Sequence, residues 1–123
     1  MRLLLDTHVL LWSRFDERRL TRAQVDAIRN ARNTIFVSSV SLAEMAIKVG
    51  LNKLTVPDGL VSGLGEWGAN SLPFTAAHAA PLLTLPHHHR DPFDRMLISQ
   101  AITDDLVFVT ADERCRAYDV RTL

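Results

Sequence analysis

Leu3-Leu4-Leu5-Asp6-Thr7-His8 decides how the rest of the chain is read. Three consecutive apolar residues show no alternation, so the run predicts a strand buried on both faces, the condition of strands in a parallel sheet. Asp6 ends that strand and opens its C-terminal end onto a polar site. Residues 7–14 then read as a short helix. Thr21 followed by Gln24 is a capping-box pattern, and Val25 and Ile28 carry a helix to about Arg32. Residues 34–38, rich in β-branched and aromatic side chains, predict a second strand. Ser41 with Glu44 repeats the capping-box pattern, with Met45 and Val49 on one side and Gly50 as the stop.

Residues 57–70 hold Gly59, Gly63, Gly65 and Gly68, which weaken any helix there. A short strand is expected at 72–74 and a helix at 75–83, with Pro81 near its end. Asp91 as N-cap, Pro92 at the first helical position and Asp94 in the first turn start another helix, whose stripe is Phe93, Leu97, Ile98 and Ala101. Residues 106–109 predict a last strand, and 113–117 a last helical turn. Strands alternating with helices place the chain in the α/β class, with a parallel sheet covered on both faces.

Composition narrows the function. A chain of 123 residues with 47% hydrophobic content suits one domain over residues 1–123, and no linker or repeat divides it. Fourteen basic and fourteen acidic residues cancel, so nucleic acid is not held by net charge and any such contact is local. The single Cys115 excludes an internal disulfide and rules out a thiol-ligated zinc site, and a reducing cytoplasm is expected. Asp6 and His8 interrupt the apolar start, no small-residue cleavage site follows, and no stretch reaches the length of a membrane span. A soluble, unexported protein without membrane contact is expected.

Asp6 lies just beyond the first strand, Glu44 early in the helix after the second, and Asp112 just beyond the last. In a parallel sheet these positions share the carboxyl edge, where open α/β sheets bind ligands, and Asp94 at a helix start can face the same crevice. Each acid also has an ordinary explanation. Glu44 suits a capping box, Asp94 a helix dipole, and Asp6 and Asp112 the turns that end strands. Their joint placement favours a site. Carboxylates sharing a cleft need cations to stay ionised, and all-oxygen ligation suits Mg²⁺ or Mn²⁺. Metal-dependent phosphodiester cleavage is the leading chemistry. His87, His88 and His89 read as a solvated loop before the Asp91 cap rather than as ligands. Ser38, Ser39 and Ser41 lack a His at triad spacing, no glycine-rich phosphate loop is present, and Trp12 and Trp67 are assigned to core or interface.

Four segments carry a family resemblance: Leu3 with its successors to His8, the stretch from Ser38 to Ala46 around Glu44, His89-Arg90-Asp91-Pro92-Phe93-Asp94-Arg95-Met96-Leu97, and Val109-Thr110-Ala111-Asp112. In that order, over essentially the whole chain, they resemble the PIN-domain ribonucleases, especially VapC-type toxins. The resemblance implies a three-layer α/β/α sandwich around a mostly parallel sheet. It also implies a quartet of Asp6, Glu44, Asp94 and Asp112, with Thr7, Asp91, Arg95 and Thr110 accessory. It implies RNA as substrate, Mg²⁺ with Mn²⁺ as the alternative, a homodimer and a cognate antitoxin. Asp6 and Asp94 are expected to hold the metal directly, and Glu44 and Asp112 through water or at a second site. The apolar surroundings of Trp12, Met45 and Val49 are the candidates for the partner groove.

Other readings are a catalytically silent PIN-fold interaction module and another Mg²⁺-dependent phosphoryl-transfer protein. A phosphatase with an aspartyl intermediate needs a second Asp two residues after the first, and that position is His8. A receiver-like phosphoacceptor needs paired acids after the first strand and a Lys after the last, and neither is present.

Overall fold

The computed structural model describes residues 1–123. Its centre is β1 (Arg2–Leu5), in which Leu3, Leu4 and Leu5 are fully buried. β2 (Thr34–Ser38) pairs with one edge of β1 and β4 (Val107–Val109) with the other, while β3 (Asn70–Leu72) adds outside β2. All three pairings are parallel, in the order β3-β2-β1-β4, with Leu4 opposite both Phe36 and Phe108. Parallel strands need crossovers, and helices supply them: α1 (Thr7–Phe15) and α2 (Arg22–Arg29), α3 (Ser39–Gly50), α4 (Ala76–Ala79) and α5 (Pro92–Thr103).

The strand alternation divides the core in two. Leu3, Leu5, Ile35, Val37, Val107 and Val109 pack with Val9 and Leu10 of α1, Ala27 of α2 and Met45 of α3. Leu4 and Phe108 point the other way, onto Leu97, Ile98 and Ala101 of α5, with Val40, Cys115 and Tyr118. This is the three-layer α/β/α arrangement, and every strand pair in it is parallel.

Beyond β4 the chain end adds a short parallel bridge between Phe108 and Thr122, unforeseen in the sequence. Phe108 N–H donates to Arg121 O (2.8 Å) and Thr110 N–H to Leu123 O (3.1 Å), so the edge of β4 is covered. The Thr21–Gln24 capping box forms in both directions at 3.1 Å, and Gln24 Nε2 also donates to the carbonyls of Thr110 and Leu123. That amide ties α2 to the strand end that carries Thr110.

Several boundaries differ from expectation. The capping box at Ser41 and Glu44 does not form: α3 starts at Ser39, with Ser38 as N-cap accepting from Val40 N–H (3.0 Å). Glu44 therefore sits inside the helix. The strand expected at 72–74 is shifted to Asn70–Leu72, and the helix at 75–83 splits into α4 and a 3₁₀ turn at Ala80–Leu83, where Pro81 lacks the donor a continued α-helix needs. α2 ends at Arg29, short of Arg32, and Glu113–Ala117 is 3₁₀. Residues 58–68 form successive turns, with Gly59 and Gly68 at positive φ.

Leu4→Ala removes a fully buried side chain between the sheet and α5 and is expected to cost about 2–5 kcal/mol. Leu83→Ala, at a position 90% exposed, should change stability by less than about 0.5 kcal/mol. Urea unfolding followed by circular dichroism measures both, and equal midpoints would contradict the packing described.

Candidate metal centre

Asp6 follows β1 directly, and its N–H donates to Val109 O (2.9 Å), continuing the ladder into β4. That bond places its side chain at the carboxyl edge. Thr110, the residue after β4, donates its hydroxyl to Asp6 Oδ2 (2.8 Å). Asp6 Oδ1 is buried and has no hydrogen-bond partner. Burial raises the carboxyl above its ordinary range, against the bond from Thr110 that lowers it.

Asp94 approaches from the start of α5. Asp91 caps that helix, its Oδ1 accepting from Phe93 N–H (2.8 Å) and Asp94 N–H (3.2 Å). Burial, then the negative charges of Asp6, Asp91, Glu44 and Asp112, push Asp94 up to about 8. One of its oxygens, Oδ2, meets His89 Nε2 at 2.8 Å. Its other oxygen accepts no hydrogen bond from the protein.

The remaining acids are already engaged. Glu44 is buried, accepting from Thr7 Oγ1 (2.7 Å) on one oxygen and from Lys48 Nζ, one helical turn on, at the other. Thr7 Oγ1 also lies 2.9 Å from Ser41 Oγ. Asp112 takes Arg114 N–H (3.0 Å) and Nε–H (3.1 Å) on Oδ1, and Arg114 Nη2–H (2.9 Å) and His89 Nε2 (2.9 Å) on Oδ2. The Arg114 bonds hold it down at about 2. Asp6, Asp91, Asp94 and Asp112 line one cleft of about 370 Å³, with His8, Trp12 and Arg114 among the other walls. Trp12 is thus a wall of the acidic cleft.

Two expectations are corrected here. His89 is not part of a solvated loop: it is 3% exposed and touches two of the four acids. A residue in a stretch without periodicity gives no sequence signal of burial, and only its spacing two residues before the Asp91 cap hinted at a role. Nor does a single cysteine keep sulfur away from the acids, because ligand atoms of His89, Asp94, Asp112 and Cys115 lie within 4.8 Å of one another. Burial, and then the charges of Asp94 and Asp6, push its thiol up to about 12, so it stays protonated, fully buried in the core beneath the acids. Arg95 does not line the cleft. Its guanidinium donates to Pro86 O (2.7 Å), Leu85 O (3.2 Å) and Tyr118 Oη (3.0 Å), pinning the segment before α5.

The donor set fits a hard divalent cation. Lys48 balances Glu44 and Arg114 balances Asp112, whereas no Lys or Arg pairs with Asp6 or Asp94. One open oxygen on each, the Asp6 atom buried and orphaned, is an all-oxygen arrangement for Mg²⁺ or Mn²⁺.

Comparison with known proteins bears on the family and the fold. The family model described as PIN domain matches residues 3–121. Ribonuclease VapC22 of Mycobacterium tuberculosis (strain ATCC 25618 / H37Rv) is 29% identical over 118 residues, covering 94% of this chain and 90% of that protein. Among solved structures, VapBC2 from Rickettsia felis, bound to a DNA fragment from its promoter, superposes with a TM-score of 0.73 at 18% identity, covering 100% of this chain and 98% of that one. DNA-bound VapBC from Salmonella typhimurium gives a TM-score of 0.65 at 18% identity, with coverage of 100% and 97%. The structural likenesses establish the fold.

The raised Asp94 makes a pH dependence testable. The folded protein keeps that proton up to about pH 8, while the unfolded chain releases it near 3.8, so between these values the folded state binds more protons. Stability in chelator should fall as pH rises through this window. Asp112, held near 2, works the other way, and its contribution is lost as pH falls from about 4 to about 2. Asp94→Asn should melt higher than wild type in chelator at pH 7 and flatten the decline, yet gain less from added Mg²⁺. Melting curves from pH 5 to about pH 8 read this, and a lower melting temperature for the amide variant in chelator would show that Asp94 is a structural cap.

Proposed function

The chain belongs to the PIN-domain family, and from that premise we propose that it is a divalent-metal-dependent endoribonuclease and the toxin of a toxin–antitoxin pair. The observation that carries the chemistry is the orphaned Oδ1 of Asp6 beside an Asp94 pushed up to about 8. Two acids left without a cation of the protein's own destabilise the cleft unless an ion is supplied.

On this reading Asp6 and Asp94 hold Mg²⁺, or Mn²⁺, directly. Glu44 and Asp112, engaged by Lys48 and Arg114, act through water or complete a second site. Thr110 fixes the rotamer of Asp6, Thr7 that of Glu44, and Asp91 sets the helix start from which Asp94 projects. Arg95 acts at a distance, by holding the segment before α5. When bound, the ion supplies a water of lowered pKa and screening for charge on the phosphate oxygens. No side-chain nucleophile is required. The acids read only phosphate, so choice among RNA sequences falls to groups on the rim.

RNA as substrate is supported by the name of the mycobacterial relative, a ribonuclease, and an antitoxin partner by the neighbours solved as VapBC complexes. Met45 and Val49 share an apolar groove of about 400 Å³ with Leu42, Ala46, Val56 and Val61, a suitable seat for an amphipathic antitoxin helix. Trp12 lines the acidic cleft instead, so the three residues expected at the partner groove do not form one patch. A homodimer and a cytoplasmic location complete the proposal. No helix is long and apolar enough to cross a membrane.

Purified, antitoxin-free protein is expected to cleave structured RNA internally in Mg²⁺ or Mn²⁺ and to stop in chelator, and folded Asp6→Ala and Asp94→Ala should fall to the chelator level. Gel analysis of end-labelled RNA checks this, and wild-type turnover in either variant would remove that residue from the metal site. Induced expression should arrest bacterial growth, and co-expression of the cognate antitoxin should restore it. Growth unaffected by abundant RNA-cleaving protein would sink the toxin role and leave the nuclease.

A further inference from the structure

We propose that His89 is the positioning residue of the acidic centre: its ring donates a hydrogen bond to Asp112, lies in close contact with Asp94, and sets both carboxylates for the cation without binding it. The inference rests on the metal-centre reading and specifies which neighbour builds that centre.

The backbone decides what His89 can do. Asp91 N–H donates to His89 Nδ1 (3.1 Å), so Nδ1 presents its lone pair and the ring proton resides on Nε2. Nε2–H then donates to Asp112 Oδ2 at 2.9 Å, while Asp94 Oδ2 lies 2.8 Å from the same nitrogen in a close ion-pair contact. Ligation through Nε2 requires its lone pair, which moves the proton to Nδ1 and sets it against the Asp91 N–H. Two donors facing each other at that distance exclude this arrangement while the bond stands. The convergence of His89, Asp94, Asp112 and Cys115 is therefore a close-packed cluster tied by the His89–Asp112 hydrogen bond rather than a nitrogen–sulfur metal site.

Rigidity comes from the surroundings. His89 N–H donates to Tyr118 Oη (3.0 Å), which also accepts from Arg95 Nη1 (3.0 Å), and the neighbouring His88 ring packs edge-on against Tyr118 at 4.9 Å. Arg95 thereby reaches the acids through Tyr118 and His89. Asp94 and Asp112 come from different elements, the start of α5 and the turn after β4, and their like charges repel across the cleft. His89 occupies one oxygen of each and holds both elements in register, leaving Asp94 a single open oxygen. Partners of this kind typically contribute about 10–100-fold to metal affinity.

The test uses purified, antitoxin-free protein and Mn²⁺ as the probe. Calorimetric titration of folded His89→Ala should show Mn²⁺ affinity about 10–100-fold weaker than wild type. His89→Gln, whose amide nitrogen donates from a similar reach, should recover most of it. Long-range ¹H–¹⁵N spectra of histidine-labelled wild type should show His89 protonated on Nε2 and unchanged in nitrogen shift on adding diamagnetic Mg²⁺ or Zn²⁺. Unaltered Mn²⁺ affinity in His89→Ala beside a tightly binding wild type overturns the positioning role alone, as does an Nδ1-protonated ring. A direct metal-induced shift at Nε2, with His89→Gln as weak as His89→Ala, makes His89 a ligand. Wild type binding Mn²⁺ no better than Asp6→Asn and Asp94→Asn overturns the metal centre and the positioning role with it. Should His89→Ala fail to fold, His89→Gln and the wild-type spectra still decide between donor and ligand.

Discussion

A carboxylate oxygen buried without a partner, Asp6 Oδ1, is the constraint on which the rest of the site turns. Removing a charged carboxylate from water costs several kcal/mol even after relaxation, and a fixed cation or a bound proton must offset it. The helix dipoles available here fall short: a helix terminus contributes about 0.3–1 kcal/mol to a nearby charge, up to ~2 in favourable buried geometry. α1 begins at Thr7 and α5 at Pro92, so both N-termini point positive ends at the cleft. Lys48 and Arg114 balance Glu44 and Asp112, and the two carboxylates that remain, Asp6 and Asp94, exceed what these dipoles and the hydroxyl of Thr110 can balance. The shifts follow that imbalance, with Asp94 held near 8 and Asp112, under Arg114, near 2.

The same strand creates the constraint and the core. Leu3 and Leu5 belong to one hydrophobic layer and Leu4 to the other, and β1 lies in the middle of the sheet between β2 and β4. Its end is consequently flanked by the ends of both β2 and β4, which brings Thr110 within reach of Asp6 and α3, carrying Glu44, alongside α1. An acid at the end of an edge strand would meet water on one side. At the end of the central strand it meets other carboxylates, and the burial that stabilises the fold is what disfavours its charge.

What was legible in the sequence depended on how local the determining physics is. Leu3 to Leu5 could be read as a strand buried on both faces because an unbroken apolar run has no solvent face to offer. Asp91-Pro92 and Thr21-Gln24 could be read as helix starts because a cap is closed by atoms within three residues. Glu44 was misplaced because Ser38 and Ser41 are both plausible caps. The choice is made by a distant residue: Ser38 Oγ is bonded to Gln100 Oε1 of α5, which holds it at the start of α3. His89 escaped for the same reason, since Tyr118, Asp94 and Asp112 are the contacts that bury it and all are set by the fold. The bridge at Thr122 is too short for a pattern and exists because β4 would otherwise leave Phe108 and Thr110 N–H groups unpaired beside a core.

The four acids are not equivalent, and the asymmetry follows from counting acceptors. Asp112 accepts four hydrogen bonds, three from Arg114 and one from His89, which is about the capacity of an ionised carboxylate. To bind an ion directly it would have to surrender some of them. Glu44 is similarly committed to Thr7 and Lys48. Arg114, however, is 65% exposed at its side chain, and solvent screens a surface ion pair, so its grip on Asp112 is the weaker of the two. His89 is buried, its own N–H held by the Tyr118 hydroxyl and its ring by Asp91 N–H, and it does not yield. On the proposed function, the cleft therefore has a rigid half, Asp6 with Asp94 and His89, suited to fixing an ion. It also has a loose half at Arg114, suited to exchanging one anion for another when RNA enters.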